Sequence, residues 1–275
     1  MSTFRIDKQK CNRDGICVEE CPSGVIEMTS QDAYPTPTEF FEELCIQCGH
    51  CVAVCPKGAF SQPTMKPEEC PPVRKKLLVS AEHVEQMIRS RRSIRAYKKK
   101  SIKCDILEHL IDIARYSPSG ANIQPVNWMI VEHREEVNRM AAIVVDWIKS
   151  MLEGKNEAKF PQLLMQNIVD DWNQGIDRIC RGAPHIIIAH AQKDLRPSLP
   201  ACIIALANLE IAAPPFGLGA CWAGYLNIAA NSYEPMFKAL GLPNNHQSFG
   251  AMMIGYPKYQ YHRIPGRKKA VIAWR

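Results

Sequence analysis

The sequence predicts two unlike domains: a small cysteine-rich module at the N-terminus, then a larger α/β or α+β sandwich. Three observations carry that expectation. Seven of the 12 cysteines lie in the first 55 residues and five in all the rest. The formal charge changes sign near residue 70. Residues 1–70 hold 6 Lys and Arg against 11 Asp and Glu, and residues 71–275 hold 28 against 17. From about residue 80 onward, helical and strand periodicities alternate. A content of 46% hydrophobic and 23% charged residues excludes disorder, collagen and coiled coil as overall descriptions.

At the N-terminus, Met1-Ser2-Thr3-Phe4-Arg5-Ile6-Asp7 has no apolar signal-like core, so clustered thiols are expected to bind metal in a reducing cytoplasm rather than form secreted disulfides. The strongest motif is Cys45-x2-Cys48-x2-Cys51-x3-Cys55-Pro56. Three thiolates at this spacing can wrap one cubane cluster from a tight loop, and the cysteine before proline ligates the other cluster in two-cluster ferredoxins. Zinc sites usually pair two short Cys knuckles instead. The same spacing occurs 34 residues earlier as Cys11-x2-Asp14-x2-Cys17-x3-Cys21-Pro22, with aspartate in the second cysteine slot.

Over about 60 residues this segment resembles a bacterial-type two-cluster ferredoxin. The resemblance implies that Cys11, Cys17 and Cys55 hold cluster one, with Asp14 at its fourth corner, and that Cys45, Cys48, Cys51 and Cys21 hold a [4Fe–4S] cluster two. A carboxylate is a harder and weaker partner for cluster iron than a thiolate. Three outcomes fit Asp14: it ligates the fourth iron of a labile [4Fe–4S] cluster, the iron is missing and [3Fe–4S] remains, or water fills the corner beside a solvated side chain. Cys70, Cys104, Cys180, Cys202 and Cys221 fall outside both motifs and read as structural, with Cys221 the candidate exception.

A connector rich in proline (Pro63, Pro67, Pro71, Pro72) leads to Arg74-Lys75-Lys76 and sets the domain boundary, giving domains 1–72 and 73–275. Beyond it, Ser80 can cap a helix with Val84, Met87 and Ile88 on one face. A second helix spans about 105–115 and cannot pass Pro118. Residues 126–131 read as a strand, 134–153 and 161–180 as helices, 185–189 as a buried strand and 199–213 as an apolar helix. Residues 249–254 and 270–274 read as two further strands. The apolar stretch 201–230 carries one charge, Glu210. Asn208, Pro214-Pro215 and Asn227 interrupt it, so it reads as a core or interface helix and no membrane span is expected.

No Gly-x-Gly-x-x-Gly fingerprint or P-loop is present. The basic run opening at Arg89-Ser90-Arg91-Arg92-Ser93-Ile94-Arg95 has two readings: a solvated face or nucleic-acid patch, or guanidinium forks that grip a phosphate. A tight loop follows, Ser117-Pro118-Ser119-Gly120-Ala121-Asn122-Ile123-Gln124-Pro125, whose Asn122 and Gln124 amides can donate to and accept from a heteroaromatic ring. In this order, and with Gly217–Gly224, Leu240–Pro243 and Met253–Pro257, residues from about 80 to 275 resemble the nitroreductase-like FMN flavoproteins.

That resemblance narrows the fold class to α+β, a central mainly antiparallel sheet flanked by helices, and implies an intertwined homodimer with FMN at its interface. It implies that Arg91, Ser93 and Arg95, with Arg92 beside them, bind the FMN phosphate, ribityl chain and polar ring edge. Pro118, Ser119, Gly120, Asn122 and Gln124 would approach from the partner subunit. Backbone groups near Trp222 and Gly224 would face the reactive ring nitrogen, and Arg267 with Arg263 would add charge for the phosphate.

Joined, the two parts read as an electron path from a low-potential donor such as ferredoxin, through the clusters to FMN, and on to a nitro, activated-alkene, quinone or halogenated acceptor. The alternatives are direct reduction by NAD(P)H with the clusters as an outward relay, or a redox module without turnover. Nucleic acid is not an expected partner. Chemistry at the flavin requires no catalytic side chain, and the proton donor is not specified. Residues 134–180, with Trp147, Phe160, Met165 and Trp172, read either as a roof over the pocket or as ordinary core.

Overall fold

The computed structural model describes residues 4–157 and 159–275; Met1, Ser2, Thr3 and Ala158 lie outside it, and with them the start of the N-terminal reading. The chain divides into two compact units. The first runs to Leu78 and also takes Gly120–Ile123; the second holds Val79–Ser119 and Gln124–Arg275.

The first unit has short elements in duplicate. Strand β1 (Arg5–Ile6) precedes helix α1 (Ile16–Glu19) and the hairpin β2 (Ile26–Glu27) with β3 (Thr36–Pro37). Helices α2 (Phe41–Leu44) and α3 (His50–Val54) follow, and β4 (Phe60–Ser61) pairs antiparallel with β1. The repeat is visible in the backbone as well as the sequence. Arg13 and Gln47, Gly15 and Gly49, and Gly24 and Gly58 all adopt positive φ, and each pair is separated by the motif spacing. Such left-handed turns suit glycine and let the chain fold back tightly around what it holds. Phe4, Phe41 and Phe60 stack at the centre, with ring centroids 5.2 and 4.4 Å apart.

The second unit is built on an antiparallel sheet in the order β5-β6-β8-β7: β5 (Asn127–Val131), β6 (His185–Gln192), β7 (Gly219–Trp222) and β8 (His246–Gly255). Side chains alternate between two cores, as strand geometry requires. Ile186, Ile188, Ala251, Met253 and Cys221 point into one, which also holds helices α6 (Arg134–Leu152), α7 (Gln162–Asn173), α9 (Gly224–Ser232) and α10 (Glu234–Leu240). Ile187, Ala189, Met252, Ile254 and Ala220 point into the other, beneath α5 (Cys104–Ala114) and α8 (Ser198–Ala212). Helix α4 (Ala81–Ser90) starts at Ser80, whose side chain accepts from His83 N. This is the α+β sandwich that the sequence led us to expect.

Two expectations are corrected, and two points left open are filled in. Residues 270–274 form no strand, because no neighbouring strand meets their backbone; Val271 and Trp274 are exposed instead. The helix expected over 161–180 stops at Asn173, where Gln174 and Gly175 turn the chain. Strand β7 was hidden in the apolar run. Of the two readings of 134–180, core packing fits its aromatic and Met positions. Trp147 and Met165 are buried, and Phe160 meets Trp147 and Tyr225 edge-on at 6.1 and 5.1 Å. Among the described residues one helical stretch, Ser198–Phe216, is long and apolar enough to cross a membrane; its Cys202, Leu206 and Leu209 are fully buried beneath the sheet, as in a core helix.

Candidate functional site

The first unit gathers the eight motif positions into two sets. Cys21, Cys45, Cys48 and Cys51 line one small cavity, with Gln62 and His50. Cys11, Asp14, Cys17 and Cys55 line another, with Ala59 and Phe60. Cys21 and Cys55 therefore cross to the other half-repeat. The crossing follows from the turns after each helix: Cys21 and Cys55 stand in extended or turning backbone just past α1 and α3, facing away from their own loops. All twelve cysteines are free thiols. Four positions line each cavity, Cys21, Cys45, Cys48 and Cys51 in one and Cys11, Asp14, Cys17 and Cys55 in the other, a number that suits the corners of an iron–sulfur cluster.

Polar groups address the sulfurs. Gln62 Nε2 donates to Cys51 Sγ at 3.3 Å and Ala59 N to Cys55 Sγ at 3.2 Å. Burial, followed by the neighbouring thiols, pushes the Cys17 and Cys51 thiols up to about 11 and about 12. Asp14 occupies the backbone position that Cys48 holds in the other half. It is exposed, and its Oδ1 accepts from Ile16 N at 3.3 Å at the start of α1.

In the second unit a cavity of about 870 Å³ opens beside the end of α4. Arg91, Arg92, Lys98 and Lys258 give it positive charge, Glu210 supplies a carboxylate, and Gly219, Ala220 and Tyr259 complete part of the wall. The arginine segment is pinned along the sheet edge. Ile94 N donates to Ala220 O at 2.9 Å, Lys98 N to Tyr256 O at 2.8 Å, and Lys258 N to Ala96 O at 2.9 Å. Gly219 permits the approach: a Cβ there would stand 2.2 Å from Ile94 Cγ1. Arg92 Nε donates to Arg91 O at 2.6 Å, and Arg91 Nη1 to Glu210 Oε1 at 2.7 Å.

Ser93 and Arg95 lie off this wall, near the buried Cys221 thiol. Burial is the main influence on that thiol and raises its pKa, while Arg95 and Arg181 oppose the shift. The segment Trp222–Gly224 follows at once, with Ala223 N bonded to Ala251 O at 2.8 Å. Pro118, Ser119 and Gly120 sit in the expected tight loop, where Ser119 Oγ accepts from Gln124 N at 2.9 Å. Ala121, Asn122 and Gln124 are left-handed, with φ of 48, 53 and 49°. Asn122 Nδ2 donates to Ile46 O and Gln47 O at 3.3 and 3.0 Å, within the first unit. Arg263 and Arg267 are exposed on the terminal segment and do not line the cavity. Cys104, expected to be buried, is exposed and donates to Glu132 Oε1 at 3.1 Å.

Sequence reasoning missed two residues. Glu210 stood out only as a lone charge, with no signal that its partner lies 119 positions away. Arg181 has left-handed backbone, φ 57°, in a loop whose Asp177 carboxylate accepts from the N–H groups of Ile179, Cys180 and Gly182 at 2.8, 2.8 and 2.9 Å.

Residues 88–256 match the model of the Nitroreductase family, well over half of the chain. The chain belongs to the nitroreductase family. Residues 4–59 match a 4Fe-4S dicluster domain, so this family member carries an iron–sulfur module at its N-terminus. The module is 39% identical over 57 residues to "Ferredoxin 7Fe" of Hydrogenibacillus schlegelii, covering 21% of this chain and 67% of that one. A "Putative NADH dehydrogenase/NAD(P)H nitroreductase" of Methanothermobacter thermautotrophicus is 26% identical over 184 residues, 65% of this chain and 80% of that protein. A nitroreductase of Desulfitobacterium hafniense, solved with bound FMN, shares the fold with a TM-score of 0.56 at 22% identity, covering 71% of this chain and all (100%) of that one.

Proposed function

We propose that this nitroreductase-family oxidoreductase takes electrons from a low-potential donor such as ferredoxin through its iron–sulfur module to FMN and delivers them to an organic acceptor: a nitro compound, activated alkene, quinone or halogenated compound. The observation that carries the reading is the pairing of eight motif positions into two crossed sets on the same chain as an arginine-lined cavity. Bound clusters move single electrons and FMN can hold two, which joins one-electron supply to two-electron reduction.

The chain's own residues bind and tune. Cys21, Cys45, Cys48 and Cys51 hold a [4Fe–4S] cluster, and the N–H groups that Gln62 and Ala59 donate to the Cys51 and Cys55 sulfurs bias the potentials. Cys11, Cys17 and Cys55 hold the other cluster. Asp14, bonded to its own helix start, leaves the fourth corner weakly held; the relative named "Ferredoxin 7Fe" supports a three-iron cluster there. Arg91 and Arg92 meet the FMN phosphate, and Ser93 and Arg95 the ribityl chain and ring edge. Pro118, Ser119, Gly120, Asn122 and Gln124 approach from a partner subunit, and Trp222 and Gly224 face the ring. The FMN bound by the structurally similar nitroreductase supports the choice of flavin.

A homodimer is supported by uncovered apolar side chains: Met87 and Ile88 on α4, and Val271, Ile272 and Trp274 near the C-terminus. Cytoplasmic residence is proposed from the oxygen-labile chemistry of the clusters. Anaerobic stopped-flow tests the donor: reduced ferredoxin should bleach FMN at least as fast as NAD(P)H. The name of the archaeal relative favours NAD(P)H as a second reading, and rapid bleaching by NAD(P)H alone would select it.

A further inference from the structure

Glu210 is the only charged residue between Ala201 and Ala230. It sits on the inward-facing side of α8 with Leu206 and Leu209, and its side chain is 8% exposed. An ionised carboxylate in such surroundings needs a partner. Arg91 Nη1 supplies it at 2.7 Å, and Arg91 is itself only 27% exposed. Both residues line the 870 Å³ cavity, and among the described residues no other acidic side chain does.

The arrangement constrains a side chain that is otherwise free to swing. Arginine carries large rotamer freedom, and fixing it during binding costs affinity. Arg91 leaves α4 at the helix end, and its carbonyl is held by Arg92 Nε at 2.6 Å. Glu210 then takes one edge of the guanidinium. A guanidinium has five N–H donors in a rigid fork, so the others stay available to the cavity. Arg92, Lys98 and Lys258 keep the wall cationic despite the carboxylate.

We propose that Glu210 is a positioning residue that holds Arg91 ready for the phosphate monoester of FMN. The proposal rests on the reading of this cavity as the FMN site. It predicts a signature that a merely structural role would not give: loss of affinity for FMN but not for riboflavin, which lacks the phosphate.

The experiment is equilibrium dialysis of flavin-depleted, cluster-loaded full-length protein against FMN and riboflavin, with thermal melts as the folding check. Glu210→Met should raise the FMN Kd about tenfold and leave the riboflavin Kd within about twofold. Glu210→Gln keeps an accepting oxygen and should retain FMN affinity to within about threefold, and Glu210→Ala, with the same tenfold loss expected, carries the test if the Met variant does not fold. In an Arg91→Ala background, Glu210→Met should cost no further FMN affinity. Equal weakening towards both flavins, or an unchanged FMN Kd in the Met variant, overturns the proposal. Wild-type protein that binds neither flavin overturns the FMN reading itself.

Discussion

In the second unit the alternating side chains of β6 and β8 fill two apolar cores under six helices, whereas the first unit buries Phe4, Val25, Ile26, Phe41, Val52 and Phe60 together with two of its own cluster thiols, Cys17 and Cys51. The larger unit can hold itself by burial. The smaller has helices of one turn and two-residue strands, and two motif cysteines, Cys17 and Cys51, take up part of its core. Small domains of this kind need a metal staple. The difference teaches that the two units of this chain answer to different physics, and each can be perturbed alone.

The largest expected effect is iron removal. Anaerobic chelation should unfold the first unit and leave the second folded, read as protease cutting confined to residues before about 79 and to the 120–123 segment that belongs to the first unit. Equal loss in both units would break the comparison. Next in size, Ile187→Ala should cost the second unit about 3 kcal/mol in urea unfolding, because Ile187 is wholly buried, while iron content stays unchanged. Gly49→Ala should cost the first unit about 2 kcal/mol of strain: φ is 75° there, and a Cβ would stand 2.6 Å from Met65 Sδ. Its readout is faster cluster loss on dilution, with the second unit's melt unmoved.

Two smaller effects sharpen the contrast. Asp14→Cys should add one iron per chain and replace a three-iron EPR signal with a four-iron one; unchanged iron would mean that the fourth corner is already filled. In the second unit, burial holds His185 and His190 below the usual imidazole value of 6.5, and the facing His246 ring lowers His190 further. His185 Nε2 accepts from Ile102 N at 2.8 Å, as only a neutral ring can, and His190 Nδ1 lies 2.9 Å from His246 Nδ1. The unfolded chain thus binds more protons below that pH. Stability is full above it and falls as pH drops toward the lowered native values. The urea midpoint should decline between about pH 7 and 5, and His190→Gln should flatten the slope.

The cluster half of the site was legible because its ligands are local. Spacing in Cys-x2-Cys-x2-Cys-x3-Cys-Pro is itself geometry, and the second copy at Cys11–Pro22 exposed Asp14 as the odd corner. The arginine segment was legible as a motif. Its setting was not: the bond from Ile94 to Ala220, the gap left by Gly219 and the pair Arg91–Glu210 all join positions more than 100 residues apart. Strand β7 was missed because Gly219–Trp222 sits inside a long apolar run without alternation, being buried on both faces. The strand expected at 270–274 was the opposite error, since a β-branched pattern makes a strand only where a neighbour offers its backbone.

By itself the sequence determined the division into a thiol-rich acidic module and a basic α+β domain, the two cluster motifs and the substitution at Asp14. Composition and short-range spacing survive without a fold. Tertiary structure decided which cysteines share a cavity, that Trp147 and Met165 belong to core, and that the single acid of the apolar helix faces Arg91. Those facts arise from long-range packing, in which a buried charge must find whichever partner the folded chain brings to it.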